Sequence, residues 1–256
     1  MVGTKHDSRQ PLASGTKTEF AFPTERPTTP FTVKILLISD VHSNIHALDA
    51  VLKEERDSDV IYCTGDLVDV GFHPQEVVDR VREAGIICVQ GNHDRNVIAR
   101  YEAGWDADAP PMDFPDHNAR RLDSAAVRFL KGLPERIHFA HDGVAYLLQH
   151  LYRGYDLIQT IMEFDGFWGE TPVAAGTNRR AVLLGHTHHP GIFWMRDDTC
   201  WINPGSVGYN RPKDPSIATR YVTITDGRVR IHNLMHPHCR SRVAIGEEFQ
   251  RLYRRV

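Results

Sequence analysis

The chain alternates short apolar runs with segments of helical periodicity, and this alternation begins abruptly after a stretch rich in proline and threonine. Residues 33–39, 60–64 and 86–90 are apolar runs of the kind that form strands buried on both faces. Between them, residues 45–55 carry apolar side chains at helical spacing, and residues 74–84 begin a second helix with proline in its first turn. The order βαβαβ predicts a parallel or mixed sheet with helices on its faces.

The second half of the chain is richer in strands than in helices. Residues 117–131 have the pattern of a helix, and residues 243–256 have that of a helix docked on the core. The strands predicted here cover residues 136–140, 144–149, 181–184, 192–196, 199–202, 221–225 and 229–233. At least ten strands with few late helices favour two packed sheets with helices outside over a single doubly wound sheet.

Length and local composition indicate one domain preceded by a tail. The 256 residues are enough to bury a full core in one domain and too few for two large ones. Residues 1–30 mix proline, threonine, serine, lysine and glutamate with almost no periodic apolar positions. We therefore predict a mobile N-terminal tail over residues 1–30 and a single domain over residues 31–256.

The charge balance excludes an overall basic protein. There are 30 lysines and arginines against 33 aspartates and glutamates, so the formal net charge is -3 and no general positive field attracts nucleic acid. No apolar run reaches the roughly eighteen residues that a membrane-spanning helix needs. The four cysteines form no C-x-x-C pair, which favours reduced thiols. We expect a cytoplasmic protein without a membrane or nucleic-acid partner, and an oligomer stays open.

Histidine is unusually frequent, with 15 residues, and several of these lie in polar clusters that each close an apolar run. Such positions matter because ligands of sheets with crossover helices gather beyond the carboxyl ends of the strands. All the clusters are therefore expected to meet at one edge of the sheets. The clusters are Asp40 to Asn44, Gly65-Asp66 with Asp69, Gly91 to Asp94, His150, and Gly185 to His188.

The side chains in these clusters are the ligand types of divalent metal ions. Taken alone, a Gly-Asp or Gly-Asn-His sequence is usually a turn, and a single buried histidine is more often hydrogen-bonded than a ligand. Chance does not readily explain why five separate strand ends all carry residues of the types that bind metal ions. Seven nitrogen and oxygen donors without a thiolate exceed the needs of one tetrahedral ion and fit a pair of metals. The seven are Asp40, His42, Asp66, Asn92, His150, His186 and His188.

The series D-x-H, G-D, G-N-H-D, H and G-H-T-H, in this order, resembles the calcineurin-like metallophosphoesterases. The sequences GDLVD from Gly65 and NPGSVG from Asn203 resemble the small bacterial phosphodiesterase branch of that superfamily. The resemblance covers residues 33–225 and implies a four-layer αββα sandwich, in which two mixed sheets are flanked by helices. This agrees with the strand count.

The resemblance also implies a role for each motif residue. It assigns Asp40, His42 and His188 to a first metal, Asn92, His150 and His186 to a second, and Asp66 to a position bridging the two. His93 corresponds to the catalytic histidine of the family, and Asp69 to the carboxylate that holds this histidine in its charged, correctly oriented form. One departure follows the fourth motif, where His150-Leu151-Tyr152-Arg153 replaces the His-Gly-Ser-Pro of many relatives. His141 is a competing candidate for His150.

Such a site supports hydrolysis by a hydroxide that bridges two metal ions, with His93 as the general acid for the leaving group. Nitrogen and oxygen ligands suit Mn²⁺, Fe, Ni²⁺ or Zn²⁺, and we expect Mn²⁺ to activate. Asn44 and Arg95 flank ligands and are candidates for binding the phosphate, although a helix cap and a solvated charge are the alternatives. Residues 152–178 either cover the site or form a helix and loop with core aromatic side chains.

The sequence therefore predicts a dimetal hydrolase of small phosphate esters, with diesters favoured because small relatives of this branch often cleave them. A dinucleoside polyphosphate hydrolase or a nuclease is the enzymatic alternative. A scaffold of the same fold without chemistry is the alternative from another class. The presence of every ligand position together with His93 and Asp69 argues against the scaffold.

Overall fold

The computed structural model describes residues 18–21, 33–171, 173 and 178–253. None of the helices within these residues combines the length and the apolar character that crossing a membrane requires. The strands are β1 (Thr18–Ala21), β2 (Lys34–Ile38), β3 (Val60–Cys63), β4 (Ile87–Cys88), β5 (Arg136–His141), β6 (Val144–Gln149), β7 (Arg179–Leu183), β8 (Gly191–Arg196), β9 (Thr199–Asn203), β10 (Thr219–Thr225) and β11 (Arg228–Leu234). The helices are α1 (Ile45–Glu54), α2 (Pro74–Glu83), α3 (Asn92–Ala103), α4 (Phe114–Ala119), α5 (Ser124–Gly132), α6 (Ile161–Trp168) and α7 (Arg242–Tyr253).

The described strands form two mixed sheets. The first has the order β1-β11-β10-β2-β3-β4, and the second has the order β5-β6-β7-β9-β8. In the first sheet β2, β3 and β4 run parallel, whereas β10 pairs antiparallel with β2. In the second sheet β6, β7 and β9 run parallel between two antiparallel edge strands.

Strand β2 shows how the layers are held together, because its side chains alternate between two apolar cores. Ile35 and Leu37 pack in the core between the two sheets, together with β6 residues such as Leu148. Leu36 and Ile38 point the other way and pack with buried residues of α1 and α2. A strand with apolar residues at every position is thus buried on both faces, as its sequence predicts.

The outer face of the second sheet is covered by α6. Leu147 and Trp201 pack there against Phe164 and Trp168 of that helix, and all four side chains are buried. The four layers are therefore helix, sheet, sheet, helix, and the predicted αββα sandwich is confirmed. Two aromatic residues of the 152–178 segment are accordingly core residues.

The helix predicted over residues 117–131 is wrong in its extent. The structure has two helices here, α4 and α5, separated by a short break. The side chain of Asp123 accepts a hydrogen bond from the backbone N–H of Ala126 and begins α5 afresh. An aspartate in the middle of the pattern was therefore an N-cap, which the apolar periodicity alone does not reveal.

The N-terminal segment contains one element that the sequence did not predict. Strand β1 lies within the predicted tail and pairs antiparallel with β11, at the edge of the first sheet. Residues 1–17 and 22–32 lie outside the described residues, so the tail and the domain boundary at residue 31 stay predictions.

We expect Leu148→Ala to lower the free energy of unfolding by about 2 to 5 kcal/mol, because it opens a cavity between the sheets. Leu252→Ala is the matched control, since that side chain on α7 is 53% exposed and its loss should cost under about 0.5 kcal/mol. Urea unfolding followed by circular dichroism measures both. Equal destabilisation by the two changes would contradict the packing described here.

Candidate active site and metal centre

The loops that follow the parallel strands meet at one edge of the sandwich. Beyond β2 and β3 the two chains stay paired, with the backbone N–H of Asp40 and of His42 donating to the carbonyls of Gly65 and Asp66 at 3.0 and 3.1 Å. In the second sheet the N–H of Gly185 donates to the carbonyl of His150 at 2.9 Å. Parallel pairing thus carries the polar residues past the strand ends and brings them to a common edge.

The first cluster joins the two sheets. Asp40 Oδ1 lies 3.0 Å from His188 Nε2 and 3.6 Å from His42 Nε2, and the two imidazole nitrogens are 3.2 Å apart. All three side chains are buried. Their donor atoms all lie within 4.8 Å of one another, which is close enough for one metal ion.

The second cluster is centred on Asp66. Its Oδ2 lies 3.1 Å from His150 Nε2, which is in turn 3.0 Å from Asn92 Oδ1. Asp66, His150 and His186 each offer a donor atom within 4.8 Å of the others. Asp66 Oδ2 also lies 3.9 Å from His42 Nε2, so this carboxylate stands between the two clusters.

The unpaired polar atoms of these side chains fit divalent cations. Within the described part of the chain, both ring nitrogens of His186 are buried without a hydrogen bond. Asp40 Oδ1 and Asp66 Oδ2 are also buried, and they meet the imidazole nitrogens of His188 and His150 at 3.0 and 3.1 Å without the geometry of a hydrogen bond. Buried polar atoms are normally paired, because leaving them unpaired costs free energy. Carboxylate, imidazole and amide donors that converge in this way are the ligand set of Mn²⁺, Zn²⁺ or iron.

The charges of the clusters are set by mutual contact. Burial acts to raise the pKa of Asp40 and Asp66, but the neighbouring imidazoles reverse the effect: His188 lowers the pKa of Asp40, and His150 lowers that of Asp66 to about 2. Burial acts to lower the pKa of His150, yet Asp66 raises it to about 9. Both carboxylates are therefore ionised, and a metal ion at Asp66 would compete with the proton on His150.

The remaining imidazoles favour the neutral form that binds metals. Burial lowers the pKa of His42 to about 4, despite the contact with Asp40. Burial, together with the charge of His150, lowers the pKa of His186 to about 4 as well. Each of these rings therefore keeps a nitrogen lone pair free for a cation at neutral pH.

Backbone carbonyls orient two of the candidate histidine ligands. His150 Nδ1 lies 2.8 Å from the carbonyl oxygen of Thr64, and His188 Nδ1 lies 3.2 Å from that of Tyr209. A carbonyl oxygen only accepts, so Nδ1 carries the proton and Nε2 is left to face the cluster. The same contacts fix the orientation of both rings.

His93 lies at the start of α3, beside the clusters, and its side chain is 23% exposed. Its Nδ1 is 2.6 Å from Asp69 Oδ2, and its backbone N–H donates to Asp66 Oδ1 at 2.8 Å. Burial acts to lower the pKa of His93, but the hydrogen bond with Asp69 and the charge of Asp66 outweigh it and raise the pKa. The structure thus brings together the histidine and carboxylate that the sequence singled out.

Asp94, a residue for which the motifs indicate no ligand or catalytic role, organises the loop that carries Asp66. Its buried carboxylate accepts hydrogen bonds from the backbone N–H groups of Asp66, Leu67, Val68 and Gly91 at 2.8 to 3.1 Å. Burial and the charge of Asp66 raise its pKa to about 6. The signal was present, because an acidic residue at the third helical position after a glycine cap is a capping pattern.

The backbone of this edge is strained. Ten described non-glycine residues have φ in the left-handed region, and two of these, Asp142 and Asp226, lie in hairpin turns. Such conformations cost about 1 to 3 kcal/mol each and gather at functional sites. The other eight belong to the site loops: Asp40, His42, Ser43, Asp66, Asp69, Val70, His186 and His188.

Three further candidates lie outside the clusters. Asn44 is the N-cap of α1: its Oδ1 accepts from the N–H of Ala47 at 3.2 Å, and its Nδ2 donates to the carbonyl of Gly208 at 2.7 Å. These contacts show the capping role of Asn44, and its contact with a phosphate stays a prediction. Arg95 is exposed on α3, and its substrate contact stays a prediction. His141 ends β5 and belongs to neither cluster.

This fold and this site define a metal-dependent phosphoesterase architecture. The chain belongs to the calcineurin-like phosphoesterase superfamily, whose domain matches residues 33–226. It is accordingly a hydrolase that acts on phosphate esters.

Three proteins illustrate what the chain is similar to. A metallophosphoesterase of Sphaerobacter thermophilus has a similar solved structure, with a TM-score of 0.66, 26% identity, and coverage of 86% of this chain and 93% of that one. A hypothetical protein of Pyrococcus horikoshii shares the fold, with a TM-score of 0.63, 12% identity, and coverage of 87% and 94%. An uncharacterised protein of Methanocaldococcus jannaschii is 29% identical over 192 residues, which are 70% of this chain and 77% of that protein.

We expect Gly91→Ala to reduce metal binding sharply. A Cβ atom at Gly91 would overlap the backbone nitrogen and Oδ1 of Asp66. The backbone itself would not be strained, because a φ of -91° is allowed for any residue. Gly132→Ala is the matched control, because nothing lies within 4 Å of a Cβ there. Mass-spectrometric metal analysis after Mn²⁺ loading should show less than half the wild-type content for Gly91→Ala alone. Full loading of this variant would show that the backbone near Asp66 does not set the site.

Proposed function

We propose that the protein hydrolyses small phosphodiesters with two divalent metal ions, Mn²⁺ being the best activator. The observation that carries the proposal is the pair of buried donor clusters with one carboxylate, Asp66, between them. Asp40, His42 and His188 would hold one ion, and Asn92, His150 and His186 the other. When bound, the ions neutralise charge on the phosphate and lower the pKa of a water molecule so that it can act as the nucleophile.

His93 is the proposed general acid for the departing alcohol. Its Nδ1 is hydrogen-bonded to Asp69, so this nitrogen carries a proton and the ring is held in one orientation. The other ring nitrogen is then free to give its proton to the leaving oxygen. Partial exposure leaves the ring accessible to a substrate, whereas Asp69 is buried behind it. Asp69 acts as a positioning residue because it reaches the substrate only through His93.

The interactions of His93 also argue against a scaffold without chemistry. Burying the Asp69 carboxylate against a His93 imidazole that is 23% exposed costs desolvation, and the pair holds an accessible proton donor beside the clusters. The proposed substrate is a small ester, because the net charge of -3 gives no general attraction for nucleic acid.

We expect His93→Ala to lower turnover by roughly two to four decades while both metals stay bound, because the leaving group loses its proton donor. His138→Ala is the control, since that exposed imidazole lies on β5. Steady-state kinetics and metal analysis on the same preparations separate a catalytic effect from a loss of metal. Wild-type turnover by His93→Ala would remove the proposed acid.

We expect chelated protein to be inactive and Mn²⁺ to restore hydrolysis, with a larger kcat/KM for bis-p-nitrophenyl phosphate than for p-nitrophenyl phosphate. Two metal ions can accommodate the phosphate of a monoester or of a diester. The ratio of the two kcat/KM values therefore reports which class of ester the protein prefers. A ratio in favour of the monoester would contradict the preference for diesters. No hydrolysis of either ester by metal-loaded protein would contradict the proposed function itself.

A further inference from the structure

A cavity of about 760 Å³ opens beside the second metal-binding cluster. Thr187, which lies between the cluster residues His186 and His188, lines the cavity. Tyr155 lines it as well, and its ring centroid is 4.5 Å from that of His186. The cavity and the candidate metal centre are therefore neighbours that share a wall.

The walls of the cavity are mainly apolar and aromatic. Phe193 of β8 stacks on Trp201 of β9, with ring centroids 3.8 Å apart and planes 12° apart, and both side chains line the cavity with Leu157. Tyr155, Leu157 and Phe193 are 64%, 40% and 39% exposed. Three large exposed apolar side chains around one concave space of this volume are typical of a ligand site.

The segment a few residues after His150 builds one wall, through Tyr155 and Leu157. Residues 153 and 156 form an antiparallel bridge that closes a tight turn, and Tyr155 lies within that turn. The guanidinium of Arg211 lies 5.3 Å from the centroid of the Tyr155 ring, and it donates to the carbonyl of His186 at 2.9 Å. The Tyr155 ring is thus held between the metal ligand and a cation.

The charge of the lining suits an anion attached to an apolar group. Arg211 and Lys213 contribute positive charge, and no carboxylate is among the lining residues that the structure describes. Cationic side chains next to the metal centre favour a phosphate, while aromatic faces favour a planar ring. A small alkyl ester would leave most of the aromatic surface exposed to water.

We propose that this cavity binds a planar aromatic group carried by the phosphate-ester substrate, with the phosphate at the adjacent metal centre. The inference rests on the proposed function and adds the chemical class of the organic group. Stacking on Phe193 and contact with Leu157 hold the ring, and Arg211 attracts the anion.

Phosphonates test this without turnover, because their P–C bond is not hydrolysed. Two pairs of compounds would be compared: phenylphosphonate with methylphosphonate, and 4-phenylbutylphosphonate with butylphosphonate. The two aryl compounds place the ring at different distances from the phosphorus atom. Isothermal titration calorimetry of Mn²⁺-loaded protein measures the Kd of each compound. For at least one pair, the Kd of the aryl compound should be lower than that of its alkyl partner by about tenfold or more. Phe193→Ala and Leu157→Ala should each reduce that ratio about threefold or more.

Trp105→Ala is the matched control, because this aromatic side chain is 37% exposed and is not part of the cavity lining. It should leave the ratio unchanged. Equal binding of aryl and alkyl phosphonates, or a ratio that neither cavity variant alters, overturns the inference and leaves the proposed function standing. Failure of all four phosphonates to bind would overturn both, because the phosphate site itself would then be missing.

Discussion

The burial of two ionised carboxylates side by side, Asp40 and Asp66, is the constraint on which the rest of the site depends. Each is at most 1% exposed, and the desolvation of such groups must be offset by positive charge. The imidazole of His150, whose pKa is raised to about 9, supplies part of that charge beside Asp66, and the contact with His188 lowers the pKa of Asp40. Two divalent cations would supply that charge more completely, and Asp40 Oδ1 and Asp66 Oδ2 lie in the two clusters that could hold them.

The loops that hold these carboxylates in place adopt backbone conformations that non-glycine residues rarely adopt. Eight site residues adopt left-handed φ values, and Val70 among them is β-branched, for which this region is a clear outlier. Several glycines stand where a Cβ would collide, among them Gly91 against Asp66 and Gly185 against Ser39 and Asp40. The apolar cores on both sides of the sheets stabilise this strained edge, because the loops continue directly from buried strands.

The sequence predicted the fold and the convergence of the site for the same reason. Apolar runs identify strands buried on both faces, and parallel strands send their following residues to one edge, so Asp40 and Asp66 meet. His186 follows a strand of the second sheet and joins them through its backbone N–H, which donates to Asp40 Oδ2. Local sequence patterns did not predict the features that depend on contacts between distant residues or on single side chains. Strand β1 depends on pairing with β11, more than 200 residues along the chain, and the start of α5 depends on one aspartate cap. The role of Asp94 follows from four backbone hydrogen bonds that no periodicity reports.

An anomalous difference map of a crystal of the Mn²⁺-loaded protein shows whether two metal ions share Asp66. We expect two peaks, one among Asp40, His42 and His188, the other among Asn92, His150 and His186, with an oxygen of Asp66 in contact with both. A single peak, or manganese bound elsewhere with both clusters empty, would contradict it.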